Sequence, residues 1–352
     1  MAALSLLFAE LSTFISPKTI WWVGFFGLGY INLLIVNLCF VVFWAFTVKN
    51  KKLLVISAAT ILIGWPLIGR NIQIFAKTIP EEKLDTSIKI ISFNVQGFEQ
   101  MNNEQPNGEK LNMFDFFRQE APDIICMQEY LIDNRRNIDA TYVKKQLEEL
   151  KYSHIQLPGG YFGIATFSRY PIIYKELVFS DKTTNACMCG DIVTGENDTV
   201  RLYNIHLKSV GFNNNEKHLL NNSVKKSYDK MDMKIAKSII KNLKNASLER
   251  VKQVMILTEH ISKSPYPVII CGDFNDPPTS YSYRKVRDSR RDAFTDAGSG
   301  RSATYDIGNI ASLRIDYIIY SDDFRAYNYD SPRVYISDHF PVICRLVKNK
   351  KN

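Results

Sequence analysis

The sequence predicts an α+β domain carried behind N-terminal transmembrane helices. Three observations lead there. The chain has 352 residues and a mass of 40.5 kDa, enough for two domains or one large domain with an appendage. No charged residue occurs between Thr19 and Val48. From Ser87 to Leu346 short β-rich runs alternate with amphipathic stretches. Hydrophobic residues make up 46% of the chain and charged residues 23%, which excludes a disordered or collagen-like chain.

The anchor is expected over residues 1–70. Residues 20–46 form one apolar run that, at 1.5 Å per residue, reaches roughly 40 Å as a helix. Trp21 and Trp22 stand at one end and Trp44 near the other, where interfacial aromatics belong. A second span is expected at 53–69, short and carrying Pro66. Residues 2–16 read either as a third span or as an interfacial helix, and not as a signal peptide, since no Lys or Arg precedes Lys18. Lys49, Lys51 and Lys52 crowd the turn between the two spans and favour its cytoplasmic placement. The rest of the chain would then lie on the extracytoplasmic side of the membrane. A linker follows at 71–86, a C-terminal domain at 87–346 and a basic tail at 347–352.

Within the domain, residues 88–95, 123–128, 163–168, 200–207, 268–271, 314–320 and 341–345 read as strands. Residues 109–120 and 141–151 read as helices, and 224–262 as one long helix or two. That last segment is strongly basic, either a solvated outer face or a positive surface for anionic lipid. Cys126, Cys271 and Cys344 fall inside apolar strands and read as free core thiols. The formal charge of +8 favours anionic partners, from nucleic acid to lipid headgroups and small phosphates.

Six strand ends carry groups able to ligate a cation or move a proton. They are Asn94, Glu129, His206, Asp273 with Asn275, Asp316, and Asp338 with His339. Each alone suits a cap or a turn. Together they suit a hard divalent cation held by oxygen and an imidazole acting on a proton, and they do not suit zinc, which takes more His or Cys. Tyr281 and Tyr283, just beyond, either line a cleft or pack.

The motifs SFNVQG, MQE, NIHL, GDFND, RIDYI and SDHFPV occur in the order of the endonuclease/exonuclease/phosphatase superfamily. Residues 87–346 resemble that superfamily, and the whole chain is similar to its bacterial membrane-anchored members. The resemblance implies a four-layer α/β/β/α sandwich and a metal-dependent phosphoesterase. It implies Mg²⁺, with Mn²⁺ as a substitute, held by Glu129 with Asn94 and Asp338 around it. It implies Asp273 and Asn275 at the attacking water, His339 at the scissile phosphate oriented by Asp316, and His206 as the second histidine of the deoxyribonuclease-like and sphingomyelinase-like branches. Gln96 stands where the abasic-site nucleases carry Asp, and His206 where they carry Asn. Both departures point away from abasic-site repair, and Gln96 would serve the metal through water with less charge.

The expected function is hydrolysis of a phosphate ester or phosphodiester by activated water, on lipid or extracytoplasmic substrates at the bilayer. A DNA or RNA nuclease is the alternative, and a non-catalytic, membrane-tethered binding module the second. A transporter is excluded by two or three spans without a buried charged pair.

Overall fold

The computed structural model describes residues 1–47, 52–196, 198–212, 216, 230–307 and 311–349. Two six-stranded mixed sheets lie face to face with helices outside. The first runs in space as β11 (Phe324–Asp330), β12 (Val342–Lys348), β1 (Ser87–Asn94), β2 (Ile124–Leu131), β4 (Phe162–Ser168) and β3 (Tyr152–Gln156). The second runs as β9 (Arg291–Asp292), β10 (Asp316–Tyr320), β8 (Val268–Asp273), β7 (Asp198–His206), β6 (Ala186–Gly195) and β5 (Ile172–Ser180).

Strand alternation divides the core among three interfaces. In β1, Ile88 and Ile90 face the opposite sheet while Ile91 and Phe93 face helices Met113–Glu120 and Ala140–Gln146. In β8, Ile269 and Cys271 face inward while Val268 and Ile270 meet the helices Lys230–Ser262 and Tyr281–Arg287. Cys126, Cys271 and Cys344 share the inter-sheet core as free thiols, as their apolar settings predicted. The periodicity missed β3, β5, β6 and β11. β3, β5 and β11 are edge strands, where mixed exposure blurs the alternation, whereas β6 is buried on both faces from Ala186 to Ile192 and so shows none.

The long segment forms one 33-residue helix, Lys230–Ser262, roughly 50 Å long. Its second half buries Val251, Val254, Leu257 and Ile261, whereas the half from Met233 to Asn245 projects past the sandwich with no fully buried residue. Residues 224–229, including Lys225 and Lys226, lie outside the described residues.

The anchor differs from its sequence expectation. The run 20–46 is not one helix: Val23–Leu28 stops at Gly29, and Tyr30–Thr47 continues alone. Only the latter is by itself long and apolar enough to cross a bilayer among the described residues. The second run splits into Lys52–Ile63 and Trp65–Asn71, bent by 59° at Gly64. Pro66 opens the second piece, where its missing N–H costs nothing. A Cβ on Gly64 would lie 2.1 Å from the Glu10 carboxylate, so the bend accommodates that side chain. Residues 2–11 form a helix of ten residues, about 15 Å and too short to cross, packed against the other anchor helices through Leu6 and Ala9. The turn carrying Lys49 and Lys51 lies outside the described residues, as does 350–352 of the expected tail, whose first residues Val347 and Lys348 complete β12.

The segment 71–86 is held along the domain. Gln73 and Gly300 exchange both backbone hydrogen bonds, Lys77 N–H donates to Ala297 O, and Asn328 N–H donates to Lys77 O. At the other end, Ser12 and Thr13 hydroxyls donate to Thr279 O at 2.9 Å each, and Thr279 Oγ1 donates to Gly27 O at 2.8 Å. Arg314 Nη2 donates to Arg70 O at 2.8 Å. The N-terminal helices therefore sit against the loops that follow β8 and precede β10.

Candidate active site

Register places three of the groups side by side. Asp273 pairs with His206 across the parallel β8–β7 contact and with Asp316 across the antiparallel β8–β10 contact. All three share the inward parity of Ile269, Cys271, Leu202 and Ile318, so their side chains enter the gap between the sheets. Asn94 has the same parity on β1 and closes the gap from the other sheet: its Nδ2 donates to Asp273 Oδ2 at 3.1 Å.

Glu129 reaches the site by a different device. Met127 faces the outer helices, so strict alternation would send Glu129 outward too. The β2–β4 register shifts between Met127 and Tyr130, and Glu129 takes a left-handed backbone with φ 51°. This bulge returns Tyr130 to the outer core and leaves Glu129 free to turn toward the site. Its Oε1 lies 3.8 Å from His206 Nε2.

Asp273 sits between two imidazoles. Its Oδ2 is 3.6 Å from His206 Nε2 and 3.7 Å from His339 Nε2. Its Oδ1 accepts the Asn275 N–H at 2.8 Å. The strand exit requires Gly272, with φ 147°, because a Cβ there would lie 1.9 Å from Ile205 O. Asn275, also left-handed, donates its Nδ2 to Leu207 O at 3.1 Å, so it shapes the loop that presents Asp273. Burial, then the charge of Asp316, outweigh the two histidines and push the Asp273 carboxyl up to about 6.

His339 is gripped from behind. Its Nδ1–H donates to Asp316 Oδ2 at 3.0 Å, which turns Nε2 toward Asp273. Thr304 Oγ1 accepts the backbone N–H groups of Ile315 and Asp316 and thereby positions the carboxylate. Burial alone would lower the imidazole, but Asp316, Asp273 and then Asp338 overcome it and raise it to about 10. His206 is held by Thr184 O, 3.1 Å from Nδ1; a carbonyl only accepts, so Nδ1 carries the proton. Its Nε2 is fully buried without a hydrogen-bond partner and faces two carboxylates. Asp338 is adjacent: its N–H donates to Gln96 Oε1 at 3.2 Å, and Ser337 Oγ donates to Asn94 O at 2.7 Å.

Three residues went unnoticed in the sequence. Tyr305 packs against His339 with ring centroids 4.7 Å apart and the rings tilted by 39°. Burial first, then the carboxylates of Asp338, Asp273 and Glu129, push its phenol up to about 12. Thr304 acts through its hydroxyl oxygen on the backbone of Ile315 and Asp316, and Thr184 through its carbonyl. None lies in a periodic run, so only the tertiary structure could reveal them. Tyr283, by contrast, packs: it is buried and donates to Asp292 at 2.6 Å.

The donor set fits a hard cation. Glu129, Asp273, Asp316 and Asp338 supply four carboxylates against the imidazoles of His206 and His339, an excess of negative charge even with both rings protonated. A neutral His206 would turn a lone pair toward two carboxylates, and a positive charge between them removes that repulsion. Asp273, Asp316 and His339 offer ligand atoms within 4.8 Å of one another. A second group, Glu176, Cys189 and His260, is satisfied internally. Glu176 accepts from His260 Nε2 at 3.0 Å and from Tyr174 at 2.8 Å, while Tyr203 bonds His260 Nδ1, pinning the long helix to the sheet.

Two facing sheets flanked by helices, with an acid–imidazole centre on converging strand ends, define the class of scaffold. Residues 91–339 match the model of the Endonuclease/Exonuclease/phosphatase family, and the chain belongs to that family. Residues 1–71 match a domain of unknown function (DUF8431). No curated protein matches the chain. Among solved structures, it is similar to an endonuclease/exonuclease/phosphatase from Beutenbergia cavernae, with 16% identity and a TM-score of 0.51 over 75% of this chain and 72% of that one. It is also similar to TDP2 from Caenorhabditis elegans, with 15% identity and a TM-score of 0.50 over 84% of each chain. At such identities the likeness concerns the fold. Members of the family are typically phosphoester hydrolases that use divalent metal ions.

Proposed function

We propose that this protein is a membrane-anchored phosphoesterase dependent on Mg²⁺, acting on phosphate esters at the bilayer surface. The observation that carries the reading is the Asp273 carboxylate placed between His206 Nε2 and His339 Nε2, with Asp316 behind the second ring. Glu129, Asn94 and Asp338 would hold the metal, whose positive charge neutralises phosphate oxygens. Asp273 accepts a hydrogen bond from water and takes its proton as attack proceeds; a carboxylate raised toward neutrality is the better base. His339, kept protonated by Asp316, directs Nε2–H at a phosphoryl oxygen and stabilises the charge that develops there. His206 approaches the same point from β7, its tautomer set by Thr184 O.

Two features support the bilayer as the place of action. Tyr30–Thr47 exposes Ile35, Val36, Leu38, Val42 and Phe43, an apolar surface suited to lipid. The projecting half of the long helix carries Lys234, Lys237, Lys241 and Lys244 beside exposed Met233 and Ile240, and Lys244 Nζ lies 5.0 Å above the Trp21 ring of the anchor. The test is a substrate panel on the full chain in nanodiscs: phospholipid, plasmid DNA, RNA and an artificial soluble diester, each with Mg²⁺ and with chelator. Metal-dependent hydrolysis of lipid is the expected result. Cleavage confined to nucleic acid refutes the lipid reading, and hydrolysis that survives chelation refutes the metal.

A further inference from the structure

The anchor and the catalytic domain enclose a pocket of about 290 Å³. One wall is the corner Gly27–Asn32, where the short helix gives way to Tyr30–Thr47. The facing wall comes from Pro277 and Pro278, Arg301 and Ser302, and Ser312 to Arg314. Both flanks of that second wall continue along the chain into residues of the active site. Ser302 is two residues from Thr304, which positions Asp316, and Arg314 is two residues from Asp316 itself. Two extended residues span about 7 Å. Pro277 follows the loop that presents Asp273.

The wall contributed by Tyr30, Ile31 and Asn32 is the head of the apolar helix. Asn32 lies on the pocket, and Ile35 and Val36, one turn further on, are exposed and apolar. The lining is mixed: Asn32, Ser302, Ser312 and Arg301 supply polar groups, and Leu28, Ile31 and Leu313 supply apolar ones. Arg301 donates to Ser312 O and forms no ion pair with the described residues. Such a cavity suits neither an acyl chain nor a nucleobase stack. It suits the polar waist of a lipid, the few atoms between phosphate and acyl chains.

We propose that this pocket receives the glycerol-ester region of a membrane phospholipid while its phosphate occupies the centre at Asp273 and His339, so that the anchor forms part of the substrate site. The inference rests on the phosphoesterase reading and names its substrate class. Thr279 is the joint: hydrogen bonds to Ser12, Thr13 and Gly27 fix the wall contributed by the anchor relative to the wall contributed by the catalytic domain.

The test uses the full chain in alkyl-maltoside micelles with phosphatidylglycerol as probe. Asn32→Trp and, as a milder variant, Asn32→Ala should lower the ratio of lipid to soluble-diester hydrolysis, at least 10-fold for the bulky change. A binding readout runs beside it: in a Cys39→Ser, Asp273→Asn background, a cysteine replacing Ser312 (Ser312→Cys) is labelled by a water-soluble maleimide. Phosphatidylglycerol should slow labelling at least 5-fold, and glycerol phosphate at the same concentration should not. An unchanged hydrolysis ratio together with unchanged labelling overturns the pocket and leaves the hydrolase standing. Protection of the cysteine in a chain that hydrolyses no ester supports the lipid pocket and refutes the hydrolase. Equal protection by glycerol phosphate refutes the lipid and assigns the pocket to a soluble ester.

Discussion

Replacing Asp316 by Asn removes a charge 3.0 Å from His339 Nδ1 while keeping the shape of the side chain. At an effective dielectric of about 20, two unit charges at that distance attract by about 5.5 kcal/mol, or about 4 pH units. His339, raised to about 10 in the native chain, would fall to about 6. The protonated ring is the working form, so activity is lost as pH rises through its pKa. At pH 8 roughly 1% of the variant would be protonated and turnover should fall about 100-fold; at pH 6 about half would be, and the loss should be no more than about twofold. Asp316 also raises Asp273, so the acid limb near 6 should shift to lower pH in the same variant, and bound Mg²⁺ should lower it further in both proteins. Hydrolysis of a soluble diester between pH 5.5 and 9.5 measures the profile. A ¹³C-histidine NMR titration of the metal-free chain measures the imidazole directly. A loss independent of pH, or a ring that still titrates near 10, would refute the electrostatic role of Asp316.

Asp273→Ala and His339→Ala should each lower turnover at least ~100-fold with unchanged circular dichroism, as expected for a lost base or charge stabiliser. Near-normal rates in either would remove it from the chemistry. Glu129→Gln keeps the bulge but removes the charge of the proposed metal ligand, so Mg²⁺ affinity measured by calorimetry should weaken at least ~10-fold; an unchanged isotherm would place the metal elsewhere. Arg314 is buried, pairs with Asp292 at 2.8 Å and lies over the rings of Phe294 and Tyr317. Arg314→Ala strands a buried carboxylate and should cost about 3–5 kcal/mol in denaturant unfolding, and a loss below 1 kcal/mol would mean that water reaches Asp292.

Much of this molecule was legible before its coordinates. Apolar alternation in SIKIISFN and VIICGD determined which faces meet, and the inward parity of Asn94, His206, Asp273 and Asp316 follows from a side-chain period of two. The charge-free run before Val48 announced a helix apolar enough to cross a bilayer, and six loaded strand ends announced a site. Local pattern could not supply register, because the hydrogen bonds that align Asp273 with Asp316 and with His206 join positions 43 and 67 residues apart in the chain. It could not show the bulge that frees Glu129, since one extra residue leaves composition unchanged. Nor could it show that the anchor breaks at Gly29 and bends at Gly64, or that it closes a pocket beside the catalytic loops. Those features arise from contacts such as Ser12 with Thr279, where distant segments meet only once the whole chain has packed.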